Sequence, residues 1–244
     1  MPVANGQPTG SPARWGLGEA AGAFLVGIVL STITGQIGAA IVNYQPGHHQ
    51  PIPLAVSVSG LVGLWVGLLG GVVFTSRTRG SGQLGPDFGF RLKWPEDVGI
   101  GVIAGLASQY VLVPLLYLPF EQFDPSLRHR LQAPAKQDTG AVHGALQITI
   151  LFLFLAVGAP LVEELFFRGL LQRSLARRFG PVVAVCGSAT IFGLAHFEPL
   201  QLPALILFGL VLGLLAQRTG RLGPGIVAHA TFNAVTVLTL TLGK

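Results

Sequence analysis

From Ala20 to Ser76 the chain carries no Asp, Glu, Lys or Arg. Helical passage through a bilayer takes roughly 20 apolar residues. This run therefore holds two crossings, divided at Gln45-Pro46-Gly47-His48-His49-Gln50-Pro51, where proline and glycine break the helical pattern. Further charge-free runs cover Val98–Phe120, Thr139–Val162, Phe179–Phe197, Pro199–Gln217 and Leu222–Gly243. Seven spans are predicted, near 18–42, 54–75, 98–119, 143–164, 181–197, 201–217 and 223–242. The runs are rich in Leu, Val, Gly and Ala and lack the two-residue alternation of an outer-membrane barrel. With 10% charged residues, against about 25% in soluble domains, the chain reads as an all-α, polytopic membrane helix bundle. Residues 1–15 form a polar tail without the pattern of a cleaved signal peptide. Residues 16–244 form a single transmembrane domain.

The charges that remain are sorted. With the N-terminus in the cytoplasm, eleven basic residues fall on the inner side, among them Arg77, Arg79, Arg173, Arg177, Arg178, Arg218 and Arg221. The outer side receives Arg128, Arg130, Lys136 and Lys244. This agrees with the positive-inside bias and predicts a multi-pass protein of the cell membrane. A net charge of +5 suits anionic lipid headgroups as partners rather than nucleic acid, for which no module is present. Phe88, Phe90 and Trp94 are expected as interfacial anchors, and loop 121–140 can hold a short surface helix. Gly63/Gly67, Gly101/Gly105 and Gly209/Gly213 have the spacing that lets helices approach closely, read first as packing within the chain. Cys186 stands alone, so an internal disulfide is impossible, and His48 and His49 read as an exposed loop pair.

Three polar motifs interrupt the apolar C-terminal half, and the protease-like core is placed at 142–242. The first is Glu163-Glu164-x-x-x-Arg168. Each charge at membrane depth costs about 2.5–3.5 kcal/mol on insertion scales, so such groups are paired or face water. Glu164 and Arg168 are spaced i,i+4 and can pair on one helix face, which leaves Glu163 without a local partner. The bland alternative is that both carboxylates end a span at the interface. The second motif is Phe192-x-x-x-His196, and the third is His229-x-x-x-Asn233, whose polar groups share one helix face. A lone His near a helix end, or a His/Asn pair serving as interhelical glue, would satisfy these without function. The hairpin turn at Gly180-Pro181 argues otherwise. Glu163 and His196 lie at nearly equal distances from it, about 25 Å along their helices, so antiparallel packing brings them level. His229 lies about two turns past the basic Arg221. A shallow cavity opening to the cytoplasm accommodates all four residues, although the short connection 197–202 would then start the next span below the outer surface.

In order and spacing, from about Pro160 to Val235, the three motifs resemble those of the CPBP family, which includes CAAX prenyl endopeptidases and bacteriocin-processing proteins. The resemblance implies an intramembrane endopeptidase acting on a membrane-associated peptide or protein substrate. It implies Glu163 as the base that activates water, His196 as the group that holds that water, and His229 and Asn233 as oxyanion donors. Glu164 and Arg168 would be structural support. A metal-free route is expected, with Zn²⁺ on Glu163, His196 and His229 as the alternative cofactor reading. No HExxH or GxSxG motif is present. A non-catalytic immunity or assembly protein on the same scaffold is the competing function.

Overall fold

The computed structural model describes residues 15–45, 51–140, 142 and 144–242. His48, His49 and nearly all of the polar tail lie outside the described residues. No strand occurs among them. The long helices are α1 (Leu17–Ile41) and α2 (Leu54–Arg79), then, after the short α3 (Leu84–Phe88), α4 (Glu96–Glu121). The surface helix α5 (Leu127–Gly140) sits where loop 121–140 was expected to hold one. It is followed by α6 (Gly144–Phe179), α7 (Pro181–Leu194), α8 (Leu202–Thr219) and α9 (Gly223–Leu242). Six of these are long and apolar enough to cross a membrane, so the protein is a polytopic helical bundle. The seventh expected span is α7, and its 14 residues reach only about 21 Å.

Both interrupted spans follow from their prolines. Pro160 in α6 and Pro114 in α4 have no N–H to give the preceding turn. Just before them the helices open into wider π-turns at Leu153–Gly158 and Ser108–Leu112. A third wide turn, Leu165–Leu171, carries Arg168. At 36 residues, α6 runs about 54 Å. It overshoots the hydrocarbon core, and its basic end projects beyond it.

Glycine sets the close packing within the chain. A Cβ on Gly67 would stand 2.3 Å from Gly27 Cα, one on Gly105 2.5 Å from the Ala228 carbonyl, and one on Gly209 3.0 Å from Ala189 Cα. All three small-residue pairs therefore seat helices of this chain, as expected. At the basic-loop end, Phe88 is fully buried beside Trp15, with ring centroids 5.1 Å apart, and against Gly169. It is a plug and not the interfacial anchor expected of it, whereas Phe90 and Trp94 are exposed.

The connection 195–201 is the part the sequence left unexplained. Because α7 ends early, this irregular backbone lies at membrane depth, where its polar groups need protein partners. It has them. Tyr117 donates its hydroxyl to the Leu200 carbonyl at 2.8 Å, and Gln201 Nε2 donates to the Leu131 carbonyl at 2.9 Å. Thus α4 and α5 cap a re-entrant turn.

Candidate active site

Helix α6 delivers the carboxylates, α9 the His/Asn pair, and the end of α7 the second histidine. Arg168, one of the eleven basic residues expected on the inner side, is instead buried and paired within the bundle. Its Nη1 donates to Glu164 Oε1 at 2.9 Å, both side chains being fully buried. Its Nη2 donates to the Gly209 carbonyl at 3.2 Å, and its guanidinium lies 4.5 Å over the Phe192 ring. One turn on, Gln172 repeats the rung with a bond to the Gly213 carbonyl at 3.0 Å. These charge-assisted and neutral bonds fasten α6 to α8 where both helices are dry.

His229 joins the two carboxylates. Its Nδ1 lies 3.2 Å from Glu164 Oε1 and its Nε2 3.9 Å from Glu163 Oε2. Glu163 Oε2 and Glu164 Oε2 are buried without a hydrogen-bonding protein partner. Aromatic edges hold the imidazole, with Phe192 at 5.7 Å and Phe208 at 5.5 Å between centroids. The Phe192 ring is also 4.7 Å from that of His196, so the two histidines flank one phenylalanine. With Phe192 also beside Arg168, the end of α7 sits level with the carboxylate turn of α6. That is the register expected from the equal distances to the Gly180 turn.

His196 is exposed, and its Nδ1 lies 2.7 Å from the Phe192 carbonyl. A carbonyl only accepts, so Nδ1 carries the hydrogen and, in the neutral ring, Nε2 keeps its lone pair. The next residue, Phe197, holds a left-handed φ of 54°. For a non-glycine residue this conformation costs on the order of 1 kcal/mol, and it lies directly beside the site. Asn233 is placed as glue at least in part: its Nδ2 donates to the Leu155 carbonyl at 2.8 Å, within the wide turn that Pro160 forces on α6.

The zinc alternative does not fit this arrangement of donors. Among the described residues no three His, Cys, Asp or Glu side chains are gathered to hold a metal ion. Sequence reasoning also missed the walls of the site. Phe208 and Phe232 stack at 4.3 Å and separate His229 from a cavity of about 480 Å³. That cavity lies between α4, α5, α8 and α9, with Glu121 and Arg128 among its lining residues. Their spacing in sequence gave no signal of this.

Toward the basic loops Phe88, Leu170 and Leu222 are buried and fill the bundle, whereas His196 and Phe197 are exposed on the re-entrant turn beside α5.

Residues 145–235 match the family model described as type II CAAX prenyl endopeptidase Rce1-like. Comparison with curated proteins and with solved structures gave no match. The matched stretch holds Glu163, Glu164, Arg168, His196, His229 and Asn233, and over it the chain is similar to CAAX-type intramembrane proteases.

Proposed function

We propose that the protein is an endopeptidase that hydrolyses peptide bonds of membrane-associated substrates with a water activated by Glu163. The observation that carries this reading is the placement of His229 between the buried Glu164 and the half-buried Glu163, with the exposed His196 across Phe192. In the proposed step Glu163 takes a proton from water while the water oxygen attacks the scissile carbonyl. His196 Nε2 accepts a hydrogen bond from the water's other O–H, which stays on the attacking oxygen, and so holds its orientation. In its imidazolium form His229 donates from Nδ1 to Glu164 and from Nε2 to the developing oxyanion. The second amide hydrogen of Asn233 is the other donor. Donors fixed in a dry site are worth about 3–4 kcal/mol each to such a transition state. Collapse of the intermediate breaks the C–N bond, and Glu163 returns its proton to the leaving amine.

Substrate access is proposed from the α5 end, because the opposite end is plugged. Under the positive-inside orientation the α5 end is non-cytoplasmic, so the proposed access differs from the cytoplasmic route expected from the sequence. In proteoliposomes, a membrane-anchored reporter peptide should be cut by the wild type and at least about 100-fold more slowly by His196→Ala. Equal rates remove His196 from the reaction. With Cys186 replaced by Ala, Phe123→Cys and Thr219→Cys should react with an impermeant probe from opposite sides. The side that labels Phe123→Cys should be the side from which substrate is cut. Cleavage from the Thr219 side would overturn the proposed route.

A further inference from the structure

The Glu164–Arg168 ion pair forms within α6, yet its shared oxygen reaches α9. Glu164 Oε1 accepts from Arg168 Nη1 at 2.9 Å and faces His229 Nδ1 at 3.2 Å. We propose that Glu164 is a positioning residue that fixes the orientation of His229 and keeps a hydrogen on its Nδ1, beyond its pairing with Arg168; this rests on the role given to His229 above. A carboxylate flanked by a guanidinium is ionised and only accepts, so the imidazole nitrogen facing it must carry hydrogen. The ring's other nitrogen is thereby presented to Glu163.

The carboxylate is itself held from two further sides. Arg168 is anchored on α8 through the Gly209 carbonyl and lies over Phe192. The first turn of α9 closes over Oε2, where a Cβ on Gly225 would stand 3.0 Å away. That helix start also favours a negative charge. A chain of contacts thus runs from Gly209 through Arg168, Glu164 and His229 to Glu163 and links α8, α6 and α9. Support of this kind resembles the outer partners that orient ligating histidines, whose loss typically costs about 10–100-fold.

A double variant separates positioning from stability. Removing one partner of a buried pair strands a charge, whereas replacing both with apolar residues is often neutral for folding. Glu164→Met/Arg168→Met in lipid nanodiscs should therefore fold with a melting temperature near that of the wild type. Its kcat on the reporter peptide should fall about 10–100-fold with little change in KM, and the ¹⁵N signals of His229 should lose the Nδ1-protonated pattern. A folded double variant with wild-type kcat, or with unchanged His229 signals, would overturn the proposal. If the double variant does not fold, Glu164→Gln supplies the second arm. Its neutral amide should shift the His229 ¹⁵N signals and lower kcat, and unchanged signals would again overturn the proposal. The spectroscopic readout is independent of cleavage. A wild type that cuts no peptide would defeat the protease reading while the Glu164–His229 contact is still decided.

Discussion

Helices α1 and α2 pack as closely as α6 to α9 do, but by different means. The first pair meets through Gly27, Gly63, Gly67 and Gly71, with one hydroxyl bond between the helices, from Thr34 to the Ser59 carbonyl at 2.7 Å. The C-terminal helices meet through Glu164, Arg168, Gln172 and His229, all buried. Glycine contacts are cheap in lipid and say little about function. Buried polar groups are costly, and a chain carries several in one place only where they are mutually satisfied or put to use. The family match falls on the second region, residues 145–235.

The comparison predicts how each region fails. Arg168→Met strands Glu164 in a dry bundle and should cost about 3–5 kcal/mol, read as a large fall in thermal stability and a loss of folded protein. A near-neutral result would show that the buried network does not hold the core. Gly67→Val pushes a side chain into the backbone of α1 and should cost about 1–3 kcal/mol. Activity per folded molecule should not change, and a loss of turnover in the folded fraction would tie α1 and α2 to the chemistry.

The smallest effect is expected outside the spans, at Asp87. Burial pushes its carboxyl up, but the Ser76 hydroxyl and the Ser81 N–H, at 2.9 Å, more than offset this and hold it below the usual aspartate value. A depressed folded value stabilises above the unfolded pKa and is lost as pH falls through the folded one. Asp87→Asn should therefore lose about 1 kcal/mol at pH 7, with the difference shrinking below about pH 4. Parallel curves at all pH values would remove Asp87 from the acid response.

Much of this was legible in the sequence. Long charge-free runs place the helices, and i,i+4 spacing pairs Glu164 with Arg168. The equal distances of Glu163 and His196 from the Gly180 turn set their common level. Three features were not legible. The Glu164–His229 contact joins positions 65 apart, and no local pattern encodes it. The early end of α7 is hidden because the charge-free run continues past it to Phe197. The plug at Phe88 looks like an interfacial anchor until Trp15 and Gly169 are packed around it.

The central claim is that the polar cluster of α6, α7 and α9 hydrolyses peptide bonds. It is tested most directly by mass spectrometry of a membrane-anchored peptide incubated with reconstituted wild type and Glu163→Gln, each shown to be folded. The wild type should yield two fragments that together gain one water. Glu163→Gln should cut at least about 100-fold more slowly. Equal cleavage by the two proteins would contradict the account.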